Sequence, residues 1–573
     1  MTQDRWLIDT EPGQRFPIYT RYNANDVLPD PITPLGASLA WIPNIMPGFS
    51  MGYAYNDAVT AEEAHADGIS PAAAFFYGHM YVNLTMPRTV GIRNGLGWQA
   101  VDAAFFGDNE VPPHVPAPED VNEELAEKMA ARTNWTLTTT TFPELEEERQ
   151  IAERCRAERP DLAALTPAAL IARARSVMPL ERLLWRGEMV AGTQAAVGPA
   201  VISQLVGGAD PTLLVRLIGH AGDVDSAAPS YALWDLSRIV RADDALDALF
   251  DGGVSGVREK LDDHPEFQAS FAAFIHDFGY RGPSEWDLGA DSWETRPELA
   301  LGLIDRLRKL GDDASPSARQ QSQAADTDDA LATALGLIGD NDEAVQTLHL
   351  AIASARRFGA WRERAKANCI KVLHEGRVAL HEVGVRLTAQ GHIATPRQVF
   401  MCLDEELDAL TVKPESIAGR LADRERQWLD LFGLDIPMFV QFGDELPPLG
   451  ELRRRGEAPE TAVVVGDVLT GTPAAGGVAT GRARIITDTG DLSAFEPGEI
   501  LVAPQTDPSW APLFLVSAGV VVDVGAMASH AMIVSRELGI PCAAGVVGAT
   551  ARIPNGALVR VDGSAGTVTV LEL

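Results

Sequence analysis

The stretch VGAMASHAMIVSRELGIP, residues 524–541, predicts a strand, a tight turn and a helix in close succession. It overlaps the apolar run of residues 520–524, which is typical of a buried strand. Gly525 then permits a sharp turn of the chain, because glycine has no Cβ. Segments such as EILVAP and ALVRVDG on either side also have the composition of strands. The pattern therefore predicts α/β structure in the C-terminal part of the chain.

A short helix follows this turn, and the sequence indicates both of its ends. Ser529 is a favourable N-cap residue, so the helix is expected to run from about His530 to Leu538, where Gly539 and then Pro541 end it. His530 thus lies in the first turn. The partial positive charge there disfavours an imidazolium, and free N–H groups would stabilise an attached phosphoryl group. The alternative is a structural histidine, which is the commoner case for this position alone.

The rest of the chain divides into regions of different composition. Residues 1 to about 110 are rich in Pro, Gly and aromatic residues and predict irregular structure with short strands. From about residue 118, apolar residues recur at helical spacing, and the polar segment 311–330 within this region predicts a mobile loop. The fold class that we expect is multidomain, with a mainly α-helical substrate-binding domain and irregular or β N-terminal part (1–460), a linker (443–465) and a small α/β (β/β/α) domain (466–573).

Three quoted segments carry a resemblance to a known family. GAMASHAMIVSRELGIP resembles the phosphohistidine swivelling domain of the phosphoenolpyruvate-utilising dikinases, with its glycine-rich turn, Ser or Thr, phosphorylated His and Arg-Glu-x-Gly-Ile-Pro. APQTDPSWAPLF (503–514) resembles the Thr-Asp-Pro-x-Trp-x-Pro stretch of that domain, and GTPAAGGVATGRARII (471–486) resembles its opening strands. Ala526 and Ala528 depart from the Gly and Thr of many members. The resemblance covers about 100 residues.

This resemblance implies the roles of several residues in the C-terminal domain. His530 would be the covalent phosphoryl carrier, and Ser529, Gly525 and Thr506 would support it. A phosphohistidine intermediate is therefore expected. In the dikinases an ATP-grasp domain charges the histidine, and no part of the sequence has the glycine-rich loop that such a domain needs. We therefore expect a separate ATP-grasp subunit that binds ATP and Mg²⁺. No pyruvate-binding barrel is recognised either, so pyruvate and phosphoenolpyruvate are poor candidates as substrates.

The first 460 residues resemble the substrate domain of rifamycin phosphotransferases and the large subunit of phenylphosphate synthase. Arg362 and Lys366 share one helix face and match the Arg and Lys that receive the phosphoryl group in the rifamycin-type relatives. The alternative is a solvated helix face with an ion pair to Glu363. The resembling segments are YTRYNANDVLPDPITPL (19–35), FGYRGPSEWDLGADSWETRP (278–297), WRERAKANCIK (361–371) and GHIATPRQVFMCLDEEL (391–407).

Further residues are candidates for substrate contacts. Arg281 and Glu285 lie on a predicted loop between helices, where a polar loop beside the active site and a structural ion pair are equally good interpretations. His79 is expected to lie in a core or to line the acceptor pocket. Phe76 and Met51 would suit a flat hydrophobic substrate and would equally suit a core.

Composition limits the partners and the compartment. The 80 acidic and 47 basic residues give a net charge of −33, which repels nucleic acids and anionic membrane surfaces. The cysteines are far apart in sequence, so the sequence predicts reduced thiols in a cytoplasmic protein and no metal site. The start, MTQDRWLIDTEPG, has no pattern of a secretory signal. The uncharged run 189–209 is interrupted by glycines and predicts buried helices and not a membrane span.

These observations lead to one functional hypothesis and two alternatives. The hypothesis is a histidine-carrying subunit of a two-component, ATP-dependent phosphotransferase that phosphorylates the hydroxyl of a small aromatic compound, a phenol or hydroxyphenyl ketone. AMP and phosphate would be by-products. One alternative is a component of a rifamycin-type antibiotic phosphotransferase. The other is a non-catalytic binding or regulatory subunit that keeps only the swivelling fold.

Overall fold

The computed structural model describes residues 4–573 except 23, 27, 69, 107–109, 207–212, 219–227, 455–462, 488–494, 507–509 and 526–528. Its strands are β1 Ile18–Thr20, β2 Ala73–Phe76, β3 His79–Asn83, β4 Phe439–Gln441, β5 Val468–Thr470, β6 Thr472–Ala475, β7 Val478–Ile485, β8 Ile500–Ala503, β9 Gly519–Val522, β10 Cys542–Ala544, β11 Leu558–Asp562 and β12 Thr567–Glu572.

The helices follow in the same chain order, with a π-helix, Gly36–Ile45, before the first of them. They are α1 Met46–Tyr55, α2 Thr85–Arg93, α3 Trp98–Phe106, α4 Glu123–Thr138, α5 Pro143–Ala157, α6 Pro167–Val177, α7 Glu181–Gln194, α8 Val197–Val206, α9 Leu213–Ile218, α10 Ala228–Ala242, α11 Asp244–Asp251, α12 Pro265–Phe278, α13 Glu298–Leu307, α14 Pro316–Ile338, α15 Asp342–Ala389, α16 Leu407–Val412, α17 Ala418–Leu431, α18 Ala511–Val516, α19 His530–Leu538 and α20 Ala549–Arg552.

These elements form two compact units, each built from separate parts of the chain. Unit 1 comprises Met1–Gln194, Trp286–Ala290 and Arg364–Ala458, and unit 2 comprises Ala195–Glu285, Asp291–Glu363 and Pro459–Leu573. The long helix α15 contributes to both. The division into a 1–460 and a 466–573 domain stays a prediction, and part of the predicted 443–465 linker lies outside the described residues.

Unit 1 contains helices and a small antiparallel sheet in the order β2-β3-β1-β4. The prediction of mainly irregular structure in the first 110 residues is wrong in part, because the π-helix and α1 to α3 also lie there. Helix α1 begins at Met46, directly after the π-helix, and Pro47 lies in its first turn. Gly48 and Gly52 are tolerated because they permit close packing on α7.

The contact between α1 and α7 gives a stability prediction. A Cβ at Gly52 would lie 2.4 Å from Met189 Cβ and 3.1 Å from the Arg186 carbonyl oxygen. We expect Gly52→Ala to lower the free energy of unfolding by about 1–3 kcal/mol through overpacking. Gly302→Ala on α13 is the matched control, because no atom lies within 4 Å of its Cβ position. Urea unfolding checks both variants, and equal effects would contradict the packing argument.

A buried carboxyl group in unit 1 predicts a pH dependence of stability. Glu148 on α5 is 2% exposed. Within the described residues no hydrogen bond reaches its oxygens, and Arg186 lies 3.8 Å away. Burial raises the pKa of Glu148 to about 8. The folded state therefore binds this proton more tightly than the unfolded state, so stability is full at low pH and falls as pH rises through the folded pKa.

Urea unfolding at about pH 5 and about pH 9 tests this sign. Glu148→Gln is expected to lose less stability than the wild type over that interval, since its amide cannot ionise. Glu153→Gln on the same helix is the control: although burial opposes it, Lys371 holds the pKa of Glu153 below its usual value. An equal pH dependence of the wild type and Glu148→Gln would refute the assignment to Glu148.

Unit 2 contains an eight-stranded sheet in the order β5-β12-β11-β7-β8-β9-β10-β6. Strands β7, β8, β9 and β10 are parallel neighbours, and the outer pairs are antiparallel. Alternate residues of the parallel strands face different cores. Leu501, Val520 and Val522 face a core shared with α10, α12, α13, α18 and α19, whereas Val502 and Val521 face a core shared with β11 and β12.

The eight-stranded sheet with its helices agrees with the α/β structure predicted for the C-terminal region. The prediction of a loop at residues 311–330, by contrast, is wrong. The segment 311–330 is not a loop: Asp312–Ala314 is a short 3-10 turn and α14 then continues to Ile338. Pro316 is favourable at a helix start, and the segment contains five Ala and three Gln, which favour helix. Ala330 and Ala334, four residues apart, are fully buried, so one face of α14 is packed.

Residues 167–206, which include α6, α7 and α8, are long and apolar enough by composition to cross a membrane, with a mean hydropathy of 1.3. A single such stretch among the described residues is weak support for a membrane span. The run 189–209 is divided between α7, which ends at Gln194, and α8, which begins at Val197. The break does not fall at a glycine, since Gly192 and Gly198 lie inside these helices, and residues 207–209 lie outside the described residues.

Candidate functional site

The parallel strands of unit 2 explain how two distant sequence segments meet. Strand β8 ends at Ala503, which pairs with Val522 at the end of β9. Because carboxyl ends of parallel strands lie at the same sheet edge, the segments after β8 and β9 emerge side by side. Thr506 follows β8, and His530 begins the helix that follows β9. The sheet therefore positions these two side chains together.

The turn between β9 and α19 depends on a small residue. A Cβ at Gly525 would lie 2.8 Å from Ala544 Cβ on β10, closer than two carbon atoms can approach without displacement. Residues 526–528 lie outside the described residues. Helix α19 runs from His530 to Leu538, and Gly539 ends it in the left-handed conformation with φ 65°. The predicted bounds of this helix are confirmed.

The His530 ring is held on two sides. Thr506 Oγ1 lies 2.9 Å from His530 Nδ1, and Thr506 is 3% exposed. The Phe514 ring meets the imidazole edge to face, with centroids 5.9 Å apart. In the tautomer in which Nδ1–H donates to Thr506 Oγ1, the lone pair is on Nε2. In that tautomer Nε2 is the ring nitrogen that is able to act as a nucleophile.

Ser529 occupies the N-cap position of α19, but its side chain does not cap the helix. The backbone carbonyl of Ser529 accepts the first intrahelical bond, from Ile533 N–H at 3.1 Å. The side chain is buried, with the residue 2% exposed, and Oγ has no hydrogen-bond partner within the described part of the chain. The prediction of a capping side chain is therefore wrong, although the position is as predicted.

Arg362 and Lys366 lie one turn apart on α15, as their spacing predicts. The Arg362 guanidinium donates to Glu363 Oε1 at 3.1 Å. The side chains of Arg362 and Glu363 are only 14% and 7% exposed, so this part of α15 is not the solvated face of the alternative interpretation, although the ion pair exists. Lys366 is half-buried.

Arg281 and Glu285 lie on the loop between α12 and α13, as predicted, and form a buried ion pair at 2.7 Å. Burial alone would lower the pKa of Arg281, but the charges of Glu285 and, more weakly, Glu363 raise it. Glu363 thus connects this pair electrostatically with Arg362. Sequence reasoning did not assign Glu363 a place in the site, since a Glu beside an Arg is common on exposed helices and its burial depends on tertiary structure.

The remaining candidates lie in unit 1 and are not brought to the residues above by any described contact. His79 on β3 is fully buried, and its Nδ1 lies 2.8 Å from the Tyr77 carbonyl oxygen, which is typical of a core histidine. Phe76 is 1% exposed and contacts Tyr81 edge to face. Met51 on α1 is half-buried. Their assignment to an acceptor pocket stays a prediction.

No group of three or more His, Cys, Asp or Glu side chains in the described ranges is arranged to hold a metal ion. What the site provides is a nucleophilic ring nitrogen at a helix N-terminus and, separately, a cationic segment of α15. Such an arrangement is able to carry and to stabilise a phosphoryl group.

Two families of known proteins match parts of this chain. Residues 495–566, which contain Thr506 and His530, match the mobile domain of PEP-utilising enzymes. Residues 185–363, which contain the Arg281–Glu285 loop and Arg362, match the rifampicin phosphotransferase fourth domain. The first match is to a domain of PEP-utilising enzymes and the second to a domain of a phosphotransferase, so these two regions resemble PEP-utilising phosphotransferases. The resemblance of the C-terminal residues to a PEP-utilising mobile domain is confirmed.

Individual relatives match over part of their length. The chain is 31% identical over 319 residues to an uncharacterized protein of Mycobacterium tuberculosis, covering 55% of this chain and 33% of that protein. It is 29% identical over 336 residues to rifampicin phosphotransferase of Streptomyces sviceus (58% and 37%). It is 31% identical over 314 residues to the prodigiosin synthesizing transferase PigC of Serratia marcescens (53% and 33%). The chain spans about a third of the length of these relatives.

Proposed function

We propose that this chain is a phosphotransferase subunit in which His530 Nε2 carries a phosphoryl group to the hydroxyl of a small aromatic acceptor. The observation that carries the proposal is the Thr506–His530 contact of 2.9 Å at the start of α19, inside the mobile-domain match. We assign to the reactive state the tautomer in which Nδ1–H donates to Thr506 Oγ1 and the lone pair lies on Nε2. The helix N-terminus favours the negative charge of a phosphoryl group.

The reaction has two steps that need different surroundings. In the first, Nε2 attacks phosphorus and an N–P bond forms as the bond to the leaving group breaks. In the second, the N–P bond breaks, phosphorus bonds to the acceptor oxygen, the hydroxyl proton passes to a base, and Nε2 regains its lone pair. Arg362 and Lys366 would stabilise the phosphoryl charge during this transfer.

Charging of His530 is assigned to an ATP-grasp subunit that binds ATP and Mg²⁺. Nε2 attacks the β-phosphorus and AMP leaves, giving a pyrophosphoryl histidine, and water then cleaves the bond to the γ-phosphorus so that phosphate leaves. We also place the complex in the cytoplasm, where ATP is abundant and the buried cysteines stay reduced.

The acceptor is proposed to be a phenol or hydroxyphenyl ketone. The segments around residues 278–297 and 361–371 that resemble phenylphosphate synthase support this class. A phenol needs only modest activation, because its oxygen ionises more easily than that of an alcohol. The relatives named rifampicin phosphotransferase support the same transfer chemistry, and a rifamycin acceptor is therefore the comparison compound in the test.

The test is reconstitution of this chain with a co-expressed ATP-grasp subunit, Mg-ATP and a panel of phenols, hydroxyphenyl ketones and rifamycins. Product mass is expected to show an aryl phosphate in the phenol arm that depends on both chains. If a rifamycin phosphate is the only product, the acceptor is a rifamycin and the phenol assignment is wrong. If the chain binds its partner but takes up no phosphoryl group, it would instead be a binding or regulatory subunit.

Thr506 gives a prediction about the first step alone. Thr506→Val keeps the shape of the side chain and removes the oxygen that holds His530 Nδ1. We expect formation of phosphohistidine to slow about 10- to 100-fold, because the reactive tautomer and ring orientation are no longer favoured. Thr550→Val, which removes the hydroxyl that donates to Asp523, is a control in the same unit. A wild-type rate in Thr506→Val would remove Thr506 from the mechanism.

A further inference from the structure

The hydroxyl of Ser529 is buried and has no hydrogen-bond partner among the residues that the structure describes. Serine at an N-cap usually turns its oxygen onto the N–H of the second or third helical residue. Ser529 has the extended backbone of an N-cap residue, with φ −68° and ψ 155°, yet forms no such bond. A buried hydroxyl without a partner is unusual in a native protein, and at a helix N-terminus beside His530 it calls for an explanation.

The surroundings of Ser529 suit an anion. The residue directly precedes His530, and the first N–H groups of α19 have no intrahelical acceptor. Helix α19 has nine residues and directs the positive end of its dipole towards this point. Thr506 occupies His530 Nδ1 on the other side of the ring, so a phosphoryl group on Nε2 is not held by Thr506.

We propose that the Ser529 hydroxyl donates a hydrogen bond to a phosphoryl oxygen of phospho-His530, so that Ser529 and the first turn of α19 form a phosphoryl-binding site. The inference rests on the proposed function, since it needs His530 to be phosphorylated. It replaces the capping role that the sequence suggests for this serine. The ligand class is a phosphoryl oxyanion, and the hydroxyl is kept without a protein partner until that anion arrives.

Phosphoramidate is a probe that needs neither ATP nor the partner subunit. Its P–N bond breaks as a bond forms between phosphorus and His530 Nε2, and ammonia leaves with the proton. The full chain is incubated with phosphoramidate, and the acid-labile adduct on His530 is followed by mass spectrometry at neutral pH. The wild type is compared with Ser529→Ala, which lacks the hydroxyl, and Ser529→Thr, which retains it. Thermal unfolding of each variant is measured in parallel.

We expect phosphorylation of His530 by phosphoramidate to be about tenfold slower in Ser529→Ala, because this variant lacks the hydrogen bond to a charged phosphoryl oxygen. Ser529→Thr keeps a hydroxyl at this position, so its rate should be within about twofold of the wild-type rate. Thermal midpoints should be equal, since no cap bond is broken. Wild-type loading in Ser529→Ala, or a lower midpoint that accounts for its slower loading, would overturn the inference and leave the proposed function intact. Absence of an adduct in the wild type would overturn the proposed function itself.

Discussion

Replacing His530 by glutamine is expected to abolish the acid-labile phosphoryl adduct and to reduce acceptor phosphorylation by about 10⁴-fold or more, the usual cost of losing a catalytic nucleophile. Glutamine approximates the size of the ring and retains polar atoms near Thr506, but its amide nitrogen has no nucleophilic lone pair. The measurement is product formation in the reconstituted complex, together with intact-protein mass at neutral pH.

The matched control is His276→Gln on α12. The His276 side chain is 85% exposed and contacts Asp277, so it should tolerate the same change without loss of transfer. Full activity in His530→Gln would mean that the phosphoryl group does not pass through His530. The chain would then be a binding or regulatory subunit, and the carrier mechanism would be abandoned.

The second large effect is expected from Lys366→Ala, which should leave phosphorylation of His530 intact and slow transfer to the acceptor about 10²- to 10³-fold. That is the usual effect of removing one group that stabilises charge in a transition state. Single-turnover transfer from pre-charged chain to the phenol measures the second step by itself.

Lys371→Ala provides the control for loss of a lysine from the same helix. Lys371 lies five residues further along α15 and pairs with Glu153, so its loss should leave both steps near the wild-type rate. If Lys366→Ala fails to form the adduct, Lys366 acts in the first step and its assigned role is refuted. If Lys366→Ala transfers the phosphoryl group at the wild-type rate, Arg362 and Lys366 have only a structural role.

The C-terminal region could be predicted well because its signals are local. The strand ending near Val522, the helix from His530 to Leu538 and its glycine end are set by neighbours in sequence. The contact of Thr506 with His530 joins residues 24 positions apart through two parallel strands. Before the structure, only the family resemblance suggested it.

The errors have physical causes of a different kind. A serine at an N-cap is favourable on average, but whether its hydroxyl turns onto the helix depends on local backbone geometry that residue type does not specify. Segment 311–330 was expected to be a loop because it is polar, yet the helix α14 has a packed face around Ala330 and Ala334. In the first 110 residues, helix formation depends on contacts such as Gly52 with α7, which are tertiary.

In the candidate site, too, features set by local sequence could be predicted, whereas features set by tertiary contacts could not. The spacing of Arg362 and Lys366 predicts one helix face, and the structure agrees. The burial of Glu363 and its effect on Arg281 require residues 279–285 to pack near the part of α15 that belongs to unit 2, which no sequence pattern near either residue indicates.

The most direct test of the central claim is the position of the phosphoryl group after the chain is incubated with Mg-ATP and its ATP-grasp partner. Tandem mass spectrometry identifies the residue, and ³¹P and ¹⁵N NMR of the phosphorylated protein distinguish the two ring nitrogens. The account predicts an acid-labile adduct on His530 Nε2 that appears only with the partner and disappears when acceptor is added. An adduct on another residue or on Nδ1, or none although the partner binds ATP, would contradict it.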